Sequence, residues 1–304
     1  GASWRHRTCY FCAWHRTYRV ASCCVWAETG GMITPTHWCR SLQLPGRLCG
    51  MAVLLMLILS ACAGAPPTGA SLRVMTWNIH HARGLDGTVD VARIAAEIRT
   101  ASPDLVALQE VDRGVRRTSG IDIPAALAEQ TGMQVAFGKN IDFQGGDYGN
   151  AVLTRLPILR GHNHHYRMLR AGEQRGLQQV RVAWHGCELE IWNTHIDYRP
   201  DDSERRSNAT EILARQAASD VPVILCGDFN DLPDSAVHSQ LTTAFHDPLA
   251  AHAGAWTYPA DAPKKRIDWV LFTPPWQFVE SWVPETTASD HRGVVMVLRW
   301  RAAE

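Results

Sequence analysis

Beyond residue 62 the chain has almost no cysteine: of nine in the whole sequence, only Cys187 and Cys226 lie there. Both fall in apolar, strand-like runs and read as small buried hydrophobes, so a disulfide-stapled domain is excluded. An excess of basic residues is missing too. Residues 1–62 hold six Arg and one Glu, which leaves 24 Lys and Arg against 29 Asp and Glu in the rest. An acidic domain gains no general attraction to a nucleic-acid backbone, although local Arg clusters can still bind phosphate. No internal repeat is present, which excludes a solenoid. What is there, 304 residues of which 46% are hydrophobic and 20% charged, suffices for a full core,.

The apolar run at 51–62 is too short to span a bilayer as a mature helix and reads as a signal-peptide core, with Arg40 and Arg47 upstream,. Its end, Leu59-Ser60-Ala61-Cys62, resembles the bacterial lipobox, which implies lipidation at Cys62; an ordinary secretory signal or an anchor helix are the alternatives,. The small residues at 63–70 then form a tether. Residues 1–31 show no apolar periodicity, and their Cys9, Cys12, Cys23 and Cys24 lack zinc-ligand spacing,. They read as translated upstream sequence, with Met32 as the expected start. The expected organisation is therefore an upstream segment at 1–31, a signal peptide at 32–61, a lipidated Cys62 with tether at 62–70, and a catalytic domain at 71–304.

Period-two alternation predicts a first strand around Leu72, Val74 and Thr76,. Helical spacing of Val91, Ile94, Ala95 and Ile98 predicts a helix over 89–101, stopped by Ser102-Pro103-Asp104,. Further strands are expected at 105–109, 134–137, 151–154, 178–184, 188–193, 221–226, 266–272, 277–283 and 293–300, with helices at 121–130 and 201–219. Strands and helices mixed in this way predict two packed sheets flanked by helices, an α/β fold.

Polar residues close those strands, Asn78, Glu110, His195 and Asp228 with Asn230, while Asp268 interrupts an apolar run and Asp290 with His291 precedes the last strand. Taken one at a time each is an ordinary turn former. Trp77, Phe229 and Trp269 alternate to the opposite face and are expected in the core rather than as a base-stacking platform. His162, His164 and His165 read as a loop after a strand, with no metal role.

Taken together, Met75-Thr76-Trp77-Asn78, Leu108-Gln109-Glu110, Gly149-Asn150 with the following Ala-Val-Leu-Thr-Arg-Leu-Pro, Asn193-Thr194-His195, Gly227-Asp228-Phe229-Asn230, Arg266-Ile267-Asp268-Trp269-Val270 and Ser289-Asp290-His291 resemble, in order, the signatures of the endonuclease/exonuclease/phosphatase superfamily over residues 71–300. The resemblance implies a four-layer α/β/β/α sandwich, like DNase I, with the site at one rim of the sheets. It also implies residue roles. Glu110 is the main ligand of Mg²⁺ or Mn²⁺, with Asn78 and Asp290 close to the ion. Asp228 positions or deprotonates the attacking water, Asn230 and His195 hold the phosphate, and Asp268 orients His291. Whether Asp228 or His291 is the base stays open, because an Asp–His pair near a metal titrates as a unit. Arg113, Asn150 and Arg175 are secondary candidates for phosphate contact; for the two arginines a surface pairing with Asp112 or Glu173 is the alternative.

The chemistry agrees with this. A phosphoester repels nucleophiles, so catalysis needs positive charge on the nonbridging oxygens and an in-line water. Carboxylates and amides are the hard donors that Mg²⁺ or Mn²⁺ prefers, and no Cys/His cluster suited to zinc is evident in the domain. The loops contain no basic, aromatic-interleaved insertion. A monomeric, envelope-tethered hydrolase of small or lipid-derived phosphoesters is expected, with a secreted nuclease as the alternative and a catalytically silent binding module as a remote one.

Overall fold

In the first strand, β1 (Ser71–Asn78), alternation does not separate core from solvent. Leu72 and Val74 pack into one apolar cluster and Met75 and Trp77 into another, so both faces are covered,. The computed structural model describes residue 67, residues 69–252 and residues 254–301, all within the chain's unit from Ala61 to Glu304. The readings of leader, lipidated Cys62 and most of the tether lie outside the described residues.

β1 sits inside a six-stranded sheet that also contains β2 (Leu105–Arg113), β3 (Gln134–Phe143), β4 (Gly146–Thr154), β10 (Trp276–Trp282) and β11 (Val294–Trp300), in the order β10-β11-β1-β2-β4-β3. A five-stranded sheet runs β5 (Ile158–His165), β6 (Gly176–Trp184), β7 (Cys187–His195), β8 (Val223–Asp228), β9 (Asp268–Phe272). The sheets face each other across a core that includes Leu72, Val74, Val180, Ile191, Ile224 and Met296. Helices α1 (Val91–Ala101) and α2 (Ile123–Thr131) cover the outer face of the larger sheet. Helices α3 (Ser203–Ala217) and α4 (Ala236–Leu241) cover that of the smaller one. This is the expected α/β/β/α sandwich.

Local chemistry sets the helix ends. Asp90 caps α1 by accepting from Arg93 N at 3.0 Å, and Ser102 ends it in a left-handed conformation (φ 48°),. Asp122 caps α2 and Gly132 closes it at φ 67°,. Two parallel pairs, β1–β2 and β7–β8, are joined through α1 and α3. Parallel pairs need such crossovers, and loops at the carboxyl ends of their strands are where α/β folds place ligand sites.

The sheets are tied by a buried polar bridge. Gln109 Nε2 donates to Asn193 Oδ1 at 2.7 Å, and Asn193 Nδ2 donates to the carbonyls of Leu108 and Ala151 at 2.9 and 3.0 Å. Asn193→Ala orphans these groups where no water reaches them. We expect it to lower unfolding stability by about 3 kcal/mol; a shift in the urea midpoint worth under about 0.5 kcal/mol would remove the bridge from the account.

Several elements differ from the sequence expectation: β3 runs on to Phe143 and β4 begins already at Gly146. β2 does not stop at Gln109 but continues to Arg113 through a bulge, in which Gln109 and Glu110 together oppose Asn150,. His162, His164 and His165 belong to β5, not to a loop, and His164 is spent on Glu211 and Arg215, each at 2.6 Å. The short helix α4, capped by Ser235, has too few turns to show a period,.

Candidate active site

Glu110 owes its position to the bulge: its φ of 56° is a conformation that side-chain-bearing residues rarely adopt,, and it turns the carboxylate out of the alternation of β2. Asn78, at the end of β1, lies alongside. Its Nδ2 donates to Glu110 Oε1 and to Asp228 Oδ2, both at 3.0 Å, and its Oδ1 accepts from His80 N at 3.0 Å. One buried amide therefore joins the carboxylates of the two sheets. Asn78 thus stands between Glu110, the expected ion ligand, and Asp228.

Asp228 and Asp268 are register partners at the ends of β8 and β9. Gly227, beside Asp228 in β8, lets the strand lie close against β7, since a Cβ there would lie 2.2 Å from the Thr194 carbonyl oxygen,. Asp228 Oδ1 accepts from Asn230 N at 2.9 Å, while Asn230 Nδ2 donates to the Ile196 carbonyl at 3.1 Å and holds the loop to the end of β7. His291, preceding β11, sets Nδ1 3.0 Å from Asp268 Oδ2 and Nε2 3.7 Å from Asp228 Oδ2. Its backbone carbonyl accepts from Trp77 Nε1 at 2.9 Å, so a core tryptophan anchors the loop. His195 Nε2 lies 3.6 Å from the same Asp228 oxygen. Trp77, Phe229 and Trp269 are fully buried, the last two stacked at 4.5 Å, as expected of core residues.

Burial and the adjacent Asp268 carboxylate push Asp228 up to about 7, against the pull of His291 and Asn78,. For His291 burial opposes the charged form, but Asp268 and Asp228 outweigh it and lift the ring to about 10,. Burial, then Arg175 and His291, hold His195 well below the ordinary histidine value. The site thus contains one cationic and one neutral imidazole, both beside the same Asp228 oxygen, a combination that brings proton donors and a proton acceptor together,.

These groups open into a cleft of about 520 Å³ whose lining includes Glu110, Asp228, Asn230, Asp290, His195 and His291, together with Arg117, Arg175 and Lys265. Arg175 is 4% exposed and pairs with Glu173 at 2.8 Å. Arg113 is not brought to the cleft. It faces Asp147 across the β2–β4 ladder, donates to that carboxylate from Nε at 3.1 Å and Nη2 at 2.5 Å, and lies over Phe137,. Asp112, the partner anticipated for it, instead grips Arg117 through two hydrogen bonds of 2.8 and 2.9 Å. Asn150 is buried opposite the bulge and does not line the cleft. Arg117, Lys265, Tyr148, Tyr198 and Tyr258 join the site without having been singled out in sequence; nothing in the spacing separates Arg117 from its neighbours Arg113 and Arg116.

Among the described residues, side chains suited to a divalent cation gather in two groups. Single donor atoms of His80, His81 and Glu110 lie within 4.8 Å of one another, as do those of Asp228, Asp268 and His291, and Glu110 and Asp290 line the cleft. The first group escapes the sequence because its third member is a glutamate contributed by another strand. Burial first, then Arg117, keeps His81 neutral, down to about 3.

An arginine in the cleft should carry more of the substrate than one spent elsewhere. We expect Arg175→Ala to lower kcat/KM about tenfold to a hundredfold and Arg113→Ala to leave it within about twofold; equal losses in the two variants would sink this distinction.

Residues 75–291 match the model of the Endonuclease/Exonuclease/phosphatase family. The chain is 27% identical over 212 residues to the uncharacterized protein YbhP of Escherichia coli K12, covering 65% of this chain and 83% of that protein. An endonuclease/exonuclease/phosphatase from Beutenbergia cavernae superposes with a TM-score of 0.62 at 28% identity, over 77% of this chain and 72% of that one. The mannosyl-6-phosphatase Bt3783 of Bacteroides thetaiotaomicron shares the fold, with a TM-score of 0.64 at 17% identity over 75% of this chain and 100% of that one. With Glu110, His195, Asp228, Asn230, Asp290 and His291 meeting in one cleft and the family match running from β1 to His291, the chain belongs to the endonuclease/exonuclease/phosphatase family of metal-dependent phosphoester hydrolases.

Proposed function

We propose that this protein hydrolyses small or lipid-derived phosphoesters with Mg²⁺ or Mn²⁺ bound at Glu110 and Asp290, as a monomer tethered through Cys62 in the bacterial cell envelope. The observation that carries the reading is the convergence of the Asp268–His291–Asp228 chain, His195 and Asn230 on a cleft flanked by Arg117, Arg175 and Lys265. Positive groups beside a carboxylate that can receive a proton are what phosphoester hydrolysis requires.

A divalent ion there supplies charge neutralisation on the nonbridging oxygens. The chain's own residues do the rest. Asp228, fixed on one side by Asn78 and on the other by Asn230, orients the attacking water and accepts its proton. Asp268 holds Nδ1 of His291, so that the opposite nitrogen faces the cleft and binds a phosphate oxygen. His195, neutral and buried, adds a further hydrogen bond, and Asn230 stands at the same edge. Asn78 sets the distance between Glu110 and Asp228. The cleft is broad and open at Tyr198, which is 68% exposed, and the domain's acidic balance gives no long-range attraction to a polynucleotide. The mannosyl-6-phosphatase sharing the fold acts, by its name, on a sugar phosphate. The lipobox-like Leu59-Ser60-Ala61-Cys62 supports the tether.

The full chain, assayed with Mg²⁺ or Mn²⁺ on bis-p-nitrophenyl phosphate, sugar and inositol phosphates, sphingomyelin, RNA and plasmid DNA, is expected to turn over small or lipid esters faster than it nicks plasmid. Faster plasmid cleavage would replace this reading with a nuclease, and no metal-dependent hydrolysis of any ester would overturn it. A Cys62→Ser chain should leave the membrane fraction; one that stays with it like the parent sinks the tether.

A further inference from the structure

Immediately after Asn78 the chain makes a tight turn, His80–Ala82, in which His80, His81 and Ala82 have φ values of 44°, 45° and 61°. Successive residues with side chains in the left-handed region are strained and persist only where the surroundings hold them. Glu110, facing the turn, is left-handed as well. One donor atom from each of His80, His81 and Glu110 falls within 4.8 Å of the others, a spread that one ion can draw together,.

His81 supplies the independent observation. It is only 6% exposed, yet its Nδ1 finds no hydrogen-bond partner among the described residues. A buried polar atom left unpaired carries a desolvation cost that a bound ion would relieve, and an imidazole nitrogen in that condition is suited to be a metal donor. His80 meets its neighbour edge-on, with ring centroids 4.5 Å apart, and its Nδ1 lies 3.7 Å from Asp290 Oδ1, which brings a second carboxylate to the group. The nearby Arg117 would oppose a cation, but Asp112 already neutralises it through two hydrogen bonds.

We propose that His80, His81 and Glu110 form a nitrogen-rich cation site that takes a transition ion such as Mn²⁺, Co²⁺ or Zn²⁺ in preference to Mg²⁺. The inference rests on the reading above for a cation at Glu110 and decides which class of ion that is. Mg²⁺ demands oxygen donors and sheds water reluctantly, whereas imidazole nitrogens favour later first-row ions. Two histidines beside one glutamate therefore discriminate by donor chemistry rather than by charge.

The test is binding, read without turnover. The full chain is titrated with Co²⁺, followed by its visible ligand-field absorption, and with Mg²⁺ by calorimetry; thiolate ligation by the N-terminal cysteines would appear separately as charge-transfer bands. The expected result is Co²⁺ affinity at least about tenfold above that for Mg²⁺, with His80→Ala and His81→Ala each losing about tenfold for Co²⁺ and staying within about threefold for Mg²⁺. Thermal unfolding of each variant verifies folding, and the partly exposed His80 keeps the test valid if His81→Ala does not fold. Equal Co²⁺ and Mg²⁺ affinities, or unchanged Co²⁺ affinity in a folded His80→Ala chain, would overturn the site. Because no ester is consumed, an enzyme inactive on every substrate assayed would refute the proposed hydrolysis and leave this result standing.

Discussion

Asp228→Asn should lower kcat/KM by about a thousandfold or more while leaving the protein as stable as the parent, or more so. The amide keeps one acceptor oxygen, for either Asn78 Nδ2 or Asn230 N, gives up the other hydrogen bond, and cannot take a proton from water,. It also removes a charge that is buried beside Asp268, so folding loses a repulsion together with a desolvation cost,. His291→Ala should cut turnover by a similar factor for a different reason and with the opposite effect on stability. It leaves Asp268, fully buried, without its partner, a loss of about 3 to 5 kcal/mol for a broken buried pair,. Steady-state kinetics combined with denaturant titration separates the two. Near-normal turnover in either variant removes that residue from the mechanism, and a stability loss shared equally by both would contradict the asymmetry derived from Asp268.

Glu110→Gln is expected to abolish divalent-ion dependence along with about three orders of magnitude of activity, since a bound ion contributes several kcal/mol of charge stabilisation. The substitution preserves shape, and the glutamine oxygen still accepts from Asn78 Nδ2, so the bulge and its left-handed backbone are retained. The parent chain treated with a chelator should match the variant and recover when Mn²⁺ or Mg²⁺ is restored, whereas the variant should not recover. Full activity of the parent in excess chelator would exclude a dissociable ion at Glu110.

Much of the framework was legible from one dimension. The alternation around Leu72, Val74 and Thr76, the helical spacing of Val91, Ile94, Ala95 and Ile98, and the stop at Ser102-Pro103-Asp104 are local signals, and a local signal does not depend on what packs against it. Site residues at strand ends were legible for the same reason: Asn78, His195, Asp228 and His291 each interrupt or close an apolar pattern. The arginines were not. Arg113, Arg116 and Arg117 stand within five positions, and their fates were decided by Asp147 on the neighbouring strand and Asp112 below, which composition does not reveal. Likewise, His162, His164 and His165 looked like a loop because an edge strand carries polar residues on both faces, and only pairing with β6 gives them a place in a sheet.

The sequence by itself determined that this chain makes an α/β fold and carries the donors of a phosphoester hydrolase, because strand periodicity and ordered signatures are properties of neighbours along the chain. Only the tertiary structure decided which of those donors meet. The bulge that turns Glu110 toward His80 and His81, the amide of Asn78 that bridges two sheets, and the choice of Arg117 and Arg175 over Arg113 all depend on contacts between residues far apart in sequence. Such contacts are settled by register and packing, and neither is encoded in any single segment.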